Sequence, residues 1–196
     1  MNQKQVWENI ADEWHEFKKL PALHTTEFLK KQTGKILDLG SGSGRHLMKI
    51  KKGKMYLLDF SEKMIKLAEQ KAKKEKIKAK FSVSEMTKIP YENNFFDAAI
   101  CISSLHCLKK PKQKKAVEEL YRVLKPKAQA FIGVWNRESK RFKKSQKEKL
   151  IGWRDKGARY YYLYTEKEIH NQFKKAGFKI IETANSEMMI RFIVEK

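Results

Sequence analysis

A short apolar run, Lys35-Ile-Leu-Asp-Leu39, opens directly into Gly40-Ser-Gly-Ser-Gly44, and this junction constrains the chain more than any other stretch. The run reads as a buried strand, and a short helix is expected to begin where the glycines end. The three glycines let the backbone turn sharply and approach a ligand with no Cβ in the way. The dinucleotide version of such a loop, G-x-G-x-x-G, does not fit, because Arg45 stands where its third glycine would be. Asp38, two residues before Gly40, suits a ligand bearing an ammonium better than a pyrophosphate.

The rest of the chain repeats the same alternation of strand and helix. Strands are expected at 55–60, 81–84, 98–103, 130–135, 178–183 and 188–194. Helices are expected over a lead-in at 5–31 broken near Pro21, over 61–76 behind an N-cap at Ser61, and over 112–124 up to Pro126. A further helix opens at the capping box Thr165-x-x-Glu168 and closes at Gly177. Such alternation predicts an α/β fold, a mostly parallel sheet with helices on both faces. The 196 residues fit a single domain, with 1–31 a helical lead-in and 137–158 a basic insert whose first part reads as a loose loop or frayed helix.

Context strengthens the glycine loop. Asp59 ends the second strand 19 residues after Gly40, where an acid can accept both hydroxyls of a ribose. Phe60 can lie against an adenine ring. Glu85 and Met86 follow the third strand, placed for the adenine's exocyclic amine and a ring nitrogen.

Charge is the unusual property. Lys+Arg number 44 against 23 Asp+Glu, a net +21. Such an excess favours a polyanionic partner through counterion release. The lysines around the helix at 61–76 read as a solvated face. Cys101 and Cys107 are the only cysteines and form no C-x-x-C pair, and the five histidines show no metal-binding spacing. A reducing cytoplasm and no metal site are the expectation, and no apolar run is long enough to span a membrane.

The segments GSGSG, LLDFS, IPYENNFFDAAI and ELYRVLKP, in this order and spacing, resemble the class I S-adenosylmethionine-dependent methyltransferases. The resemblance implies a Rossmann-like, seven-stranded sheet with a reversed C-terminal hairpin. It also implies S-adenosylmethionine as cofactor, held by Asp38, Gly40, Gly42, Gly44, Asp59, Phe60, Glu85, Met86 and Ser103. A narrower likeness runs through Ile10-Ala11-x-x-Trp14, Pro21, Ser103-Ser104-Leu105-His106, Val134-Trp135 and Arg159-Tyr160-Tyr161-Tyr162-Leu163-Tyr164. These segments resemble the tRNA wobble-uridine methyltransferases, which esterify a carboxymethyl group in the anticodon loop, often with a small zinc-binding activator protein. Lys18 stands where that family usually has Arg, and Ala22 where it usually has Trp.

On the acceptor side, Arg159 and Tyr160 interleave a cation with aromatic planes, a pattern that suits single-stranded bases. Arg159, with Lys18 second, is the expected grip on an acceptor carboxylate. Two readings of His106 stand side by side, a general base and a buried structural histidine. Trp7 and Trp14 are expected in the core. Basic segments at 137–149 and 109–115 are expected to meet RNA phosphates. The rival functions are a small-molecule O- or N-methyltransferase and a non-catalytic RNA-binding subunit that retains the fold.

Overall fold

A computed structural model describes residues 2–196. Its central strands are apolar on both sides and are covered on both. Strand β1 (Gly34–Leu39) pairs in parallel with β2 (Gly53–Asp59) and with β4 (Phe96–Ile102), and β2 pairs with β3 (Ala79–Val83). Strand β5 (Leu124–Trp135) joins β4 in parallel, while β9 (Met189–Glu195) runs antiparallel to β5 and to β8 (Lys179–Thr183). The order β3-β2-β1-β4-β5-β9-β8 gives seven strands with the reversed C-terminal hairpin.

Side-chain alternation divides the core. Leu37, Leu58, Ala99 and Cys101 face α4 (Lys110–Val123) and α5 (Glu166–Lys175), while Ile36, Leu57, Ala98 and Ile100 face α2 (Leu23–Lys30) and α3 (Glu62–Lys74). The lead-in is split as its proline demands. Helix α1 (Gln3–Phe17) buries Val6, Ile10 and Ala11, and Pro21 lies in the break before α2. Ser61 caps α3, its hydroxyl accepting the Met64 N–H at 3.1 Å, and Thr165 does the same for α5.

Three local expectations are corrected. No helix follows the glycine loop: residues 42–46 form turns. The Gly44 carbonyl accepts the Leu47 N–H at 3.1 Å and also Lys71 Nζ from α3 at 2.9 Å, and the Arg45 carbonyl accepts the same Nζ at 3.4 Å, so one lysine of the supposed solvated face is structural. Helix α4 does stop short of Pro126, but the strand expected from 130 already begins at Leu124, so Pro126 lies inside β5, where the β4–β5 register skips from Leu124 to Gln129. The basic insert is ordered. Its second half is an antiparallel hairpin, β6 (Glu148–Gly152) with β7 (Ala158–Tyr162), and Phe142 is buried against Trp135, ring centroids 5.0 Å apart.

Candidate active site

The strand order reverses between β1 and β4, and beyond the carboxyl ends of these strands an open α/β sheet forms its ligand crevice. The glycine loop lies there. Gly40, at φ +73°, would bring a Cβ to 2.4 Å from Ser104 Cβ, so the close approach admits glycine alone. Ser104 in turn donates to the Leu39 carbonyl at 3.0 Å, tying the end of β4 to that of β1. Gly42 has φ +52°, yet its would-be Cβ meets nothing nearer than Met64 Sδ at 4.0 Å, so this glycine borders open space.

Two acids are buried beside the loop. Asp59 accepts the Gly42 N–H at 2.9 Å and the Ser61 N–H at 3.0 Å. Burial outweighs these donors and pushes its carboxyl up to about 6. Asp38 is buried with Oδ2 unpartnered, and burial, reinforced by Asp59, pushes it up to about 7. An orphaned carboxylate oxygen next to a glycine loop fits the ammonium of S-adenosylmethionine. The carboxylate of Asp59 retains lone pairs for ribose hydroxyls. Ser103 holds φ +59°, a left-handed conformation costly for a non-glycine residue, at the tip of β4. Phe60 is half-buried at the end of β2. Met86 Sδ lies 3.4 Å from the Cβ position of Gly40. Glu85 is exposed and is already gripped by Lys112 at 2.8 Å, which lowers its carboxyl, so an adenine amine would share it.

The acceptor side is assembled from distant segments. Arg159 on β7 is buried and donates to Tyr161 Oη at 2.8 Å, while its Nε has no partner. Its guanidinium carbon lies 4.9 Å from the Trp153 ring, 5.0 Å from Trp14, 5.3 Å from Tyr161 and 6.0 Å from Trp7. No carboxylate among the described residues pairs with it. Lys18 closes α1 with its Nζ 4.7 Å from the Phe17 ring, and burial, then Arg45 and Arg159, hold its ammonium below the usual lysine value. Glu13 of α1 accepts Trp153 Nε1 at 2.6 Å and pairs with Lys156 at 2.6 Å and Arg154 at 3.4 Å, which fastens the hairpin tip over α1.

Tyr160 does not join Arg159. Successive residues of a strand face opposite ways, so Tyr160 points with Tyr162 into the core, and Tyr161 shares the face of Arg159. His106 is fully buried, and its Nδ1 accepts the Trp135 N–H at 3.0 Å, which leaves the proton on Nε2. Burial pushes the ring down to about 3, so it stays neutral and cannot take a second proton near neutrality. Its geometry is that of a structural histidine. Trp7 and Trp14 are half-buried and wall the Arg159 cage, not the core. Their spacing of seven, with Lys18 one turn beyond Trp14, is the sequence trace of that wall.

The basic segments differ. Lys110, Lys112 and Lys114 pair with Glu168, Glu85 and Glu118, so the first is half-neutralised. The side chains of Lys140, Arg141, Lys143 and Lys144 are exposed and form no ion pair among the described residues, although the Lys140 backbone N–H donates to the Glu187 carboxylate. Among the described residues no group of three or more His, Cys, Asp or Glu could hold a metal, and no helix is long and apolar enough to cross a membrane.

Residues 36–127 match the model of a methyltransferase domain. The sheet order and the glycine loop are those of the class I methyltransferase fold, and S-adenosylmethionine is the cofactor that the match supports. An S-adenosylmethionine-dependent methyltransferase from Aquifex aeolicus is 25% identical over all of this chain and 99% of its own, with a TM-score of 0.72. The chain is also 36% identical, over 53% of its length, to the tRNA (carboxymethyluridine(34)-5-O)-methyltransferase of Arabidopsis thaliana. The match covers 24% of that protein, and the chain spans 21% to 32% of the first curated relatives. A methyltransferase of Haloferax volcanii solved in complex with the Trm112 methyltransferase activator is 16% identical, with a TM-score of 0.74 over 100% of this chain and 98% of its own, a likeness of fold.

Proposed function

We propose that the protein methylates a carboxylate, the carboxymethyl group of a modified wobble uridine in tRNA. The observation that carries this reading is Arg159, a buried guanidinium with no acid partner, held in an aromatic cage beside Lys18. Burying a charge is costly unless something compensates it, and rings alone compensate weakly. An anionic acceptor would complete the site. Its planar carboxylate suits the fork of an arginine, and the uracil ring suits the aromatic walls.

When bound, S-adenosylmethionine supplies an electrophilic methyl group whose C–S bond breaks as the ester C–O bond forms, the sulfur keeping the electron pair. The residues named here then have three duties. Asp59 and the glycine loop hold ribose and backbone in register, with Phe60, Met86, Glu85 and Ser103 around the adenine and sulfur ends. Arg159 and Lys18 orient the carboxylate, and orientation of this kind can supply roughly 7–11 kcal/mol of a barrier. Tyr161 and His106 fix the cage: His106 steadies Trp135, which stacks on Tyr161 at 4.3 Å. No general base is required, because a carboxylate with a pKa of ~4.3 is already an anion at neutral pH.

Lys140, Arg141, Lys143 and Lys144 would meet the phosphates of the anticodon stem-loop. The Haloferax complex makes a small activator protein a reasonable partner to test, and a tRNA substrate would place the reaction in the cytoplasm. The experiment is methyl transfer to tRNA bearing carboxymethyluridine, followed by mass spectrometry of the nucleosides, with and without an activator. The methyl ester should appear at a single-turnover rate nearly flat between about pH 6 and 8.5, and His106→Ala should leave that flat profile unchanged in shape. Methylation of a small hydroxyl or amine compound instead, at a rate climbing tenfold per pH unit, would replace the tRNA reading.

A further inference from the structure

Three turns lie side by side at the amino ends of β1, β2 and β3, the end of the sheet away from the glycine loop. Gly34 sits opposite Gly53 in the strand register, and Met55 opposite Ala79, so neighbouring turns are roughly 4.8 Å apart. Residues 30–35, 49–54 and 73–80, which form or flank these turns, hold twelve lysines against one acid, Glu75. That is about half of the net charge of +21. All but Lys35 are exposed, and none of the twelve forms an ion pair among the described residues. Elsewhere lysines find acids: Lys4 pairs with Glu62, Lys63 with Asp12 and Lys125 with Asp97.

Part of this charge has a local cause, since Lys73 and Lys74 complement the carbonyl end of α3. Lys52 and Lys76 have none. Lys76 follows the C-cap of α3, where its N–H donates to the Lys73 carbonyl at 3.2 Å and the Ile77 N–H to the Ala72 carbonyl at 2.9 Å. These two bonds make a Schellman motif, whose left-handed position favours glycine. Lys76 holds φ +53° there, and Lys52 holds φ +51° in the neighbouring turn. Each keeps its charge at the expense of backbone strain that a glycine would avoid.

The chemistry of the face narrows the partner. It carries lysines and no arginine, point charges that grip phosphate without a fixed orientation. None of the exposed large apolar side chains lies in these turns. The face therefore offers neither rings to stack unpaired bases nor an apolar anchor for a bilayer. We propose that it binds the phosphate backbone of duplex RNA without regard to sequence. Strand β2, seven residues at roughly 3.3 Å each, separates this face from Asp59 by about 20 Å, so it is a second contact and not part of the acceptor site. Only the choice of RNA over DNA rests on the tRNA reading above.

Fluorescence anisotropy of the full chain with a blunt RNA duplex of roughly 20 base pairs tests this, because the duplex has no anticodon loop and no methyl acceptor. Affinity should fall steeply with salt. Lys52→Gly, Lys54→Gln, Lys76→Gly and Lys78→Gln combined should weaken binding roughly ten- to a hundredfold and flatten the log–log salt slope by up to about three. Affinity for S-adenosylhomocysteine should not change. Lys52→Gly and Lys76→Gly alone should each raise the unfolding temperature by a few degrees while lowering RNA affinity. Duplex affinity unchanged in the combined variant would make these lysines a solvated face and overturn the proposal. So would tighter binding to vesicles of anionic lipid, or to a DNA duplex of equal length. Duplex binding that behaves as expected, with no methyl transfer to tRNA, would sink the wobble-uridine reading and leave this face standing.

Discussion

At the glycine-loop end of the cleft the buried charges are two carboxyls, Asp38 and Asp59, supplied by adjacent strands and a loop that joins them. At the cage end the buried charge is a guanidinium, Arg159, walled by rings from α1 and from the β6–β7 hairpin, segments at opposite ends of the chain. The first half is built by local connectivity and is part of the sheet. The second exists only when two distant pieces dock. Both halves store an uncompensated charge, and both are stable because the seven-stranded sheet beneath them carries the fold. The difference teaches that one half can be altered without disturbing the other, and three measurements test this.

The largest effect should come from the cage. Arg159→Ala should lower single-turnover methyl transfer roughly 10²–10³-fold, in line with the 2–5 kcal/mol typical of truncating one partner of a buried charge pair. Cofactor affinity should stay put, and Arg159→Lys should restore only part of the rate. The fold itself should change by no more than about 1 kcal/mol in Arg159→Met, since lost cation–π contact is offset by relief of a buried charge. Cofactor binding lost together with turnover would erase the distinction between the halves.

The next effect belongs to the loop and has a defined sign with pH. Folding raises Asp38 from its usual carboxyl value to about 7, so the folded state holds a proton that the unfolded chain releases. Its contribution is therefore favourable at low pH and is lost as pH rises from about 4 to about 7. Asp38→Asn should match the parent protein near pH 4 and become progressively more stable above it, by at most ~1.4 kcal/mol per pH unit. Denaturant unfolding at several pH values reads this directly. A difference independent of pH would show that Asp38 is not strained by burial.

The smallest effect concerns the exposed insert. Neutralising Lys140, Arg141, Lys143 and Lys144 together should reduce the slope of log affinity for tRNA against log salt by up to about three, the scale for that number of phosphate contacts. Cofactor affinity and Arg159 chemistry should not move. An unchanged slope would exclude the insert from the RNA path.

The same contrast explains what could be read from the sequence. The glycine loop, Asp38 and Asp59 were legible because strand, loop and acid are contiguous, and the sheet order followed from the alternation of elements. The missing helix after Gly44 left no local sign, because the turns in its place are held in part by a lysine from another element, Lys71. The β6 strand is hidden by its composition: Glu148, Lys149 and Gly152 surround a Leu150 that is exposed, and pairing with β7 orders it. Tyr160 and Tyr161 differ only in phase. Three identical residues carry no alternation, so nothing in Tyr160-Tyr161-Tyr162 says which one faces Arg159. The rings of Trp7 and Trp14 read as core because their partner, Trp153, is supplied from the far end of the chain.

The fastening of the hairpin tip by Glu13 has a kinetic side. Its partners Lys156 and Arg154 are partly or largely open to solvent, so dissolved ions weaken the tether as they would weaken a grip on phosphate. Were an anticodon loop bound there, such a strap would set how long product stays, since loop opening commonly limits turnover. Ionic strength would then act as a throttle with two settings: too little salt and product lingers, too much and substrate fails to arrive. Amide exchange at 153–157, faster in Glu13→Ala and with added salt, is the mark by which this behaviour is recognised, and exchange indifferent to both would leave the strap without a kinetic role.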